Sequence, residues 1–122
     1  MQYLMLIKIE NNADYEAGKG PPTELEVGMG ALIGEWSKSN AMVTAAGLRA
    51  PSKGARVRLN AGKIIVSDGP FTESKEIIGG YFILEVPNKA AAIELTKQFV
   101  EVHRQVLGDH FVLECEVREI EA

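Results

Sequence analysis

The chain has 122 residues, of which 46% are hydrophobic and 25% charged, so the composition predicts one folded domain and not a disordered chain. The net charge of −4 argues against nucleic acid as the main partner, because phosphate contacts need clustered lysine and arginine side chains. Cys115 is the only cysteine, which excludes an internal disulfide bond and a cysteine-based metal site. The N-terminus lacks the pattern of a signal peptide and no apolar run reaches the length of a membrane span, so we expect a cytoplasmic protein without membrane contact.

The first part of the chain predicts a strand, a helix and a second strand. Residues 3–9 are apolar on both faces, which is typical of a central strand, and the polar, glycine- and proline-rich residues 10–22 predict a loop. The capping box Thr23-Glu24-Leu25-Glu26 predicts that Thr23 caps a helix. Residues 41–48 predict the second strand. The apolar face of the helix comprises Leu25, Met29, Leu32, Ile33 and Trp36, and its glycines are Gly28, Gly30 and Gly34. These glycines indicate either a flat face that a strand or a second subunit approaches closely, or plain tolerance in a packed helix.

The second part of the chain predicts a hairpin, a strand, a helix and a last strand. Residues 55–59 alternate small or apolar side chains with basic ones and predict a half-exposed strand. Residues 63–67 predict its partner strand, and the two are joined by a three-residue loop, residues 60–62, in which Gly62 is left-handed. Residues 80–86 predict a buried strand, and Asn88 is the predicted N-cap of the second helix. Alternating apolar residues from Phe111 onward predict a final strand with one buried face. The apolar stripe of the second helix comprises Ala92, Leu95, Phe99, Val102 and Val106, and Gly108 ends it.

This order of elements predicts the fold. With the hairpin treated as an insertion, it is the β-α-β-β-α-β order of an α+β, ferredoxin-like domain spanning residues 1–122. The sheet should be mostly antiparallel with both helices on one face. Its other face is then uncovered, and a homodimer formed through that open face is the simplest way to bury its apolar side chains.

The stretch SDGPFTESKE, residues 67–76, is the main candidate for chemistry. Pro70 follows Gly69, and a residue before proline favours extended backbone, so the stretch should leave the sheet as an extended kink with Phe71 folded back as an anchor. Asp68 has two open interpretations. It either accepts backbone N–H groups of its own loop, as in an Asx turn, or presents a carboxylate to a pocket as base or ligand anchor.

The neighbouring polar residues complete the predicted site. Hairpin pairing would bring Arg56 near Asp68, either as a structural salt bridge or as an anion-orienting arginine beside a carboxylate base. We predict neither cofactor nor metal, since His103 and His110 lack ligand spacing and Cys115 is expected to be a buried, inert thiol. The predicted catalytic residues are Asp68 and Arg56, and the predicted ligand contacts are Trp36, Ser52, Lys53, Phe71, Glu73 and Lys75.

The sequence SDGPFTESKEIIGGYFILEV resembles the signature of the DGPF-domain branch of the YCII-related family. The segments GLRAPSKGARVRLNAGKIIVSDGPF and ECEVREI resemble the same branch. The resemblance implies a ferredoxin-like fold paired into a dimeric α/β barrel. Some YCII-like relatives are enzymes acting on small cyclic or aromatic compounds, including a dehydrochlorinase, with a His–Asp pair proposed as their acid–base centre.

Two functional hypotheses follow from this resemblance. The first is a small-molecule enzyme in which Asp68 is the acid–base group or ligand anchor, in a pocket between the sheet and the first helix. The second is a non-catalytic ligand-binding or regulatory accessory protein linked to extracytoplasmic-function sigma factors. The second hypothesis is favoured by the histidines, because neither His103 nor His110 falls in the first helix, where the family's histidine is expected.

Overall fold

The chain folds into a four-stranded antiparallel sheet, with helices packed on one face, and a separate two-stranded hairpin. The computed structural model describes residues 1–10, 12–71 and 76–122. The strands are β1 (Gln2–Glu10), β2 (Met42–Gly47), β3 (Ala55–Asn60), β4 (Lys63–Asp68), β5 (Glu76–Glu85) and β6 (Leu113–Glu119). The helices are α1 (Ala13–Glu16), α2 (Thr23–Lys38) and α3 (Lys89–Leu107), with a 3₁₀ turn at Pro51–Lys53.

The sheet order is β2-β5-β1-β6, and every neighbouring pair in it is antiparallel. The pairing of β3 with β4 forms a second, two-stranded sheet. With this hairpin and the short α1 set aside, the elements follow the β-α-β-β-α-β order, which is consistent with a ferredoxin-like fold. The predicted α+β class and antiparallel sheet are therefore confirmed, while pairing into a dimer stays a prediction.

The core lies between the sheet and the two long helices. Met5 of β1 and Leu84 of β5 are fully buried at its centre. Trp36, Phe82 and Phe99 meet edge to face, with ring centroids 5.4 and 5.3 Å apart, and so connect α2, β5 and α3. Eight of the ten residues on the predicted apolar faces belong to this core or pack against it. The other two, Leu25 and Val106, are buried and half-buried outside it.

A close contact between α2 and α3 explains one glycine of α2. A Cβ atom on Gly28 would lie only 2.7 Å from Cγ1 of Val102 in α3, whereas a Cβ on Gly30 or Gly34 would meet nothing within 4 Å. Gly28 therefore permits a close approach of α3, not of a strand or a second subunit. The other two glycines are simply tolerated.

Two predictions for the N-terminal part of the chain were wrong. Residues 13–16 form a helical turn capped by Asn12, whose side chain accepts the backbone N–H of Tyr15 at 2.9 Å. Thr23 is the first residue of α2 and not its cap, because the carbonyl of Pro22 already accepts the N–H groups of Leu25 and Glu26. The capping box therefore does not form.

The hairpin turn is also one residue shorter than predicted. Asn60 pairs with Lys63, so that only Ala61 and Gly62 form the loop, with φ angles of 51° and 80°. Positive φ at both positions is the type I′ conformation, one of the two that match the twist of the strands in a two-residue hairpin loop. Ala61 therefore adopts a conformation that an alanine rarely takes.

The face of the sheet opposite the helices is apolar at its centre. Alternation along β1 and β5 places Leu4, Leu6, Tyr81 and Ile83 there, all half-buried by their neighbours, with the exposed Ile78 beside Lys8. We call these apolar residues the open face. None of the described helices is long and apolar enough to cross a membrane.

Candidate functional site

The motif that contains Asp68 forms a corner where β4 leaves the hairpin. The N–H of Gly69 donates to the carbonyl oxygen of Gly54 at 3.0 Å, and a Cβ atom on Gly69 would lie 1.8 Å from the carbonyl oxygen of Pro51. No side chain fits at position 69 without displacing the backbone of the 3₁₀ turn. The corner is therefore a tight contact between two segments, residues 51–54 and residues 68–70.

Phe71 folds back onto the hairpin as predicted. Its ring lies under the guanidinium group of Arg56, with Cζ 3.9 Å from the ring centroid, and both side chains are half-buried. This is a cation–π contact, which fixes the plane of the guanidinium and holds the ring against β3.

The predicted ion pair between Arg56 and Asp68 does not occur among the ion pairs of the described residues. The register explains why. Arg56 pairs with Ser67, and Asp68 pairs with Ala55. Because successive side chains of a strand point to opposite faces, Arg56 and Asp68 lie on opposite faces of the hairpin.

The Asp68 carboxylate is exposed and accepts no hydrogen bond from residues 1–10, 12–71 or 76–122. The Asx turn, one of the two interpretations of this residue, is thus not formed with Phe71, and Pro70 has no N–H to offer. The contacts of Gly69 with Pro51 and Gly54 hold the corner together, so the Asp68 carboxylate makes no hydrogen bond to the described backbone there.

The other predicted contacts divide into three groups. Ser52 and Lys53 belong to the 3₁₀ turn that packs on Gly69, so they border the corner, and both are exposed. Trp36 lies in the core, only 2% exposed, and its Nε1–H donates to Oε1 of Gln98 in α3 at 3.3 Å. Glu73 and Lys75 lie outside the described residues.

Neither histidine contacts the corner residues through a described hydrogen bond. His103 is buried, with Nδ1 2.8 Å from the carbonyl oxygen of Phe99, and its ring lies between those of Phe99 and Phe111. Burial lowers the pKa of His103, although the hydrogen bond to Phe99 acts in the opposite direction, so the neutral ring is favoured. His103 is a structural residue, and His110 is exposed in the turn before β6.

Cys115 is half-buried, whereas the sequence predicted a buried thiol. Cys115 points to the helix side of the sheet from β6, and burial raises the pKa of its thiol to about 11. The thiolate, which is the nucleophilic form, is therefore disfavoured. Among the described residues no group of three or more histidine, cysteine, aspartate or glutamate side chains is arranged to hold a metal ion.

A groove that the sequence did not predict runs along α3. It has a volume of about 790 Å³ and lies between α3 and β6, not between the sheet and the first long helix. Its apolar floor includes Leu32, Cys115 and Val117, and its rim includes Glu94 and Lys97, which form an ion pair at 3.3 Å. No residue of the corner lines it. Helical periodicity could not reveal this groove, because its floor consists of ordinary core positions.

Comparison with known proteins adds the family. No match was found among curated proteins. The chain is similar in structure to 5-chloro-2-hydroxyhydroquinone dehydrochlorinase from Burkholderia phenoliruptrix AC1100, solved in complex with 2,5-dihydroxybenzoquinone. The sequence identity is 11% and the TM-score 0.48, with 99% of this chain and 94% of that chain covered. The model of the YCII-related domain matches residues 1–114. Since this match spans nearly the whole chain, the protein belongs to the YCII-related domain family.

Proposed function

We propose that the protein is a small-molecule enzyme of YCII-like type that acts on cyclic or aromatic compounds, with Asp68 as proton acceptor or ligand anchor. The observation that carries the proposal is the exposed Asp68 carboxylate at a corner that only glycine at position 69 permits. A carboxylate beside a closely packed backbone, with no hydrogen bond from the described residues, is placed to contact a ligand as a proton acceptor or anchor.

The chemistry of the corner defines the compounds that we expect. A carboxylate accepts hydrogen bonds from two hydroxyl groups at once, which suits a polyhydroxylated ring. Asp68 would take a proton from such a ring hydroxyl or from an acidic ring carbon, and would return it to the product. Phe71, whose ring contacts Arg56 on the other face of the hairpin, anchors the chain that leaves the corner and so helps to hold Asp68 in place.

The proposed active form is a homodimer that buries the open face of the sheet. Leu4, Leu6, Tyr81 and Ile83 form a contiguous apolar surface on strands β1 and β5, with no described helix packed against it. A second copy offers the same surface, so a two-fold pairing is self-complementary. Burying these side chains removes their apolar area from water on both copies at once.

A thermal-shift screen tests ligand binding at the corner. Small aromatic acids, hydroxyquinols and lactones are screened against the wild type, Asp68→Asn and the control Glu35→Gln, which neutralises an exposed carboxylate on α2. A ligand at 100 times its Kd adds about 2.7 kcal/mol, which is a shift of several degrees for a domain of this size. We expect a hit that Glu35→Gln retains and Asp68→Asn loses. A hit that is equally strong in both variants would place the ligand elsewhere.

A second candidate function, non-catalytic ligand binding in a regulatory accessory protein linked to extracytoplasmic-function sigma factors, rests on a specific observation. The buried His103 is bonded to the backbone of its own helix, and Cys115 has a raised pKa, so neither serves as a proton carrier or nucleophile. Asp68 would then bind a signal molecule without turning it over.

Turnover of a confirmed ligand separates the two functions. The ligand is incubated with wild type and with Asp68→Asn and followed by proton NMR. Conversion that requires Asp68 supports the enzyme. A ligand that binds at the corner and remains unchanged over many hours supports the accessory protein instead.

A further inference from the structure

The last strand, β6, lies at an edge of the four-stranded sheet. It pairs with β1 on one side and with no described strand on the other. An edge strand presents a row of unpaired backbone N–H and C=O groups, and such a row accepts a further strand from another chain. The groove between α3 and β6 lies beside this edge, because Cys115 and Val117 of β6 line it. An added strand would therefore find backbone partners and an apolar surface together.

The two faces of β6 differ in their chemistry. Cys115 and Val117 point to the helix side, where they pack against the core. Glu114 and Glu116 point to the opposite side, because successive side chains of a strand alternate. A strand that matches this edge on both faces is apolar at one set of alternate positions and basic at the other.

The edge carries an excess of acidic groups. Residues 113–121 hold four acidic side chains and one basic side chain, Arg118, which lies 3.7 Å from Glu116. Lys8 of β1 also contacts Glu116, at 2.7 Å, so Glu116 has two cationic partners within its own chain. Glu114 lies 4.0 Å from Lys8 and stays 62% exposed. Of the two carboxylates, Glu114 is therefore the one placed to accept a further cation.

The hairpin formed by β3 and β4, residues 55–68, carries a strand of the matching kind. We call this hairpin the arm. Val57 and Leu59 lie on one face of β3 and are 68% and 76% exposed. Arg56 and Arg58 alternate with them on the other face. The arm pairs with no other described strand, and a two-stranded hairpin is only marginally stable in water, so a third strand would stabilise it.

The other strand of the arm matches the edge less well. Ile64 and Val66 of β4 lie on the apolar face of the arm, beside those of β3. The opposite face of β4 carries Ile65 and Ser67, which have no charge to offer an acidic row. Only β3 therefore matches β6 on both faces.

We propose that β3 of one copy adds to the free edge of β6 of a second copy as an antiparallel strand. The register places Arg58 opposite Glu114. Alternation then places Val57 opposite Cys115, at the groove. The remaining pairs of this register are Arg56 with Glu116, Leu59 with Leu113 and Ala55 with Val117. Each pair is therefore either apolar with apolar or basic with acidic.

The symmetry of this contact follows from its two parts. Each copy has one arm and one β6 edge, so a reciprocal exchange of arms closes a dimer and leaves neither part uncovered. The contact uses a sheet edge and not the open face. It is therefore independent of the homodimer of the proposed function.

Disulfide formation between two different chains tests the contact, because Cys115 is the only cysteine of the protein. The arm chain is Val57→Cys/Cys115→Ala, and the edge chain is the wild type. The control arm chain is Val27→Cys/Cys115→Ala, in which the new thiol lies on α2 at a residue that is 66% exposed. The chains are mixed, oxidised with copper phenanthroline, digested and analysed by mass spectrometry. We expect peptides that link positions 57 and 115, and none above background that link positions 27 and 115.

Charge reversal tests the register of the two strands. Arg58→Glu in the arm chain, or Glu114→Arg in the edge chain, should reduce the yield of linked peptide roughly tenfold, because like charges then face each other. Mixing the two reversed chains should restore the yield, since the ion pair forms again with its charges exchanged. The control Glu35→Arg in the edge chain reverses an exposed carboxylate on α2 and should leave the yield unchanged.

The alternative results overturn the inference. If positions 57 and 115 do not link although circular dichroism shows folded chains, the arm does not reach β6 and has another occupant. If they link but the combined reversal fails to restore the yield, the strands do not pair in this register. Neither result concerns the open-face homodimer. Sedimentation of Ile78→Glu, which changes an open-face residue that is 47% exposed, tests that homodimer separately.

Discussion

The body of the protein, which is the four-stranded sheet with α2 and α3, and the arm, which is the hairpin of β3 and β4, are built from similar apolar strands but differ in how those strands are covered. Leu84 in β5 is fully buried, whereas Leu59 in β3 is 76% exposed. Alternation of apolar and polar residues predicts both strands equally well. It does not tell which surface covers the apolar face, because in the body the cover is α2 and α3, and in the arm no described element provides it.

The two regions also differ in how they use polar groups. In the body, the buried side chains of His103 and Trp36 both make hydrogen bonds, to the Phe99 carbonyl oxygen and to Gln98. At the base of the arm, Asp68 makes none within the described residues. Buried polar groups are nearly always satisfied, and an exposed unsatisfied carboxylate remains available for a ligand. The body therefore supplies stability, and the base of the arm is the better place to search for function.

The largest expected difference between the two regions comes from the same substitution made in each. Leu84→Ala removes a fully buried side chain and should lower the free energy of unfolding by about 2–5 kcal/mol. Leu59→Ala should change it by about 0.5 kcal/mol or less in the monomer, because its side chain is already in water. Urea denaturation at low protein concentration measures both. A loss of several kcal/mol in Leu59→Ala would show that the arm packs within its own chain.

The next effect concerns the corner that joins the arm to the body. Gly69→Ala places a Cβ atom 1.8 Å from the carbonyl oxygen of Pro51, whereas Gly54→Ala places one at 3.6 Å, an ordinary contact. Overpacking of this kind costs about 1–3 kcal/mol. Gly69→Ala should therefore be destabilised in urea and lose the ligand response of Asp68, while Gly54→Ala keeps both. Equal behaviour of the two variants would remove the steric explanation of the motif.

The sequence predicted the body well because local patterns determine it. The apolar stripe from Leu25 to Trp36, the N-cap Asn88 and the stop at Gly108 each depend on neighbouring residues, and the structure confirms them. The missed cap of α2 is also local. Pro22 has a suitable carbonyl one residue earlier, and a side-chain motif cannot exclude that competitor.

The sequence predicted the candidate site less well because tertiary contacts determine it. The clash that requires Gly69 comes from Pro51, eighteen positions earlier, and no periodicity connects the two residues. The predicted hairpin register correctly brought Arg56 close to the end of β4, where it pairs with Ser67. That Arg56 and Asp68 nevertheless lie on opposite faces follows only when the alternation of side chains is added to the register. The contact of Arg56 with Phe71 depends on the path of the chain after β4.

A pH series tests how strongly burial in the core of the body disfavours the protonated form of His103. Because burial lowers the folded-state pKa of His103, the unfolded chain binds the proton more readily, so stability is lost as pH falls below about 6.5. Each unit of lowering corresponds to about 1.4 kcal/mol. His103→Gln should flatten the dependence of unfolding free energy on pH between 5 and 7, and His110→Gln should preserve it. An unchanged slope in His103→Gln would mean that other groups cause it.

A smaller effect distinguishes the face of α2 that packs against α3 from the exposed face of the same helix. Gly30→Ala meets nothing within 4 Å and should stabilise the chain by about 1 kcal/mol through helix propensity. Gly28→Ala brings a Cβ atom to 2.7 Å from Val102, so the steric cost should cancel or exceed the same gain. Thermal denaturation should show a higher Tm for Gly30→Ala and an unchanged or lower Tm for Gly28→Ala. Equal stabilisation would show that α2 and α3 can move apart freely.

The smallest effect belongs to the tip of the arm, where Ala61 adopts a left-handed φ of 51°. Left-handed backbone costs an L-residue roughly 1–2 kcal/mol, and glycine avoids this cost but loses more chain entropy on folding, about 0.5–1 kcal/mol. Ala61→Gly should therefore gain about 0.5 kcal/mol, whereas Ala55→Gly, in extended backbone, should lose a similar amount. Because a hairpin can open without the body unfolding, the gain should appear as slower hydrogen exchange of arm amides and not as a higher global Tm. A higher Tm, with amides of arm and body slowed to the same extent, would contradict the separation of the two regions, since it would mean that arm and body unfold together.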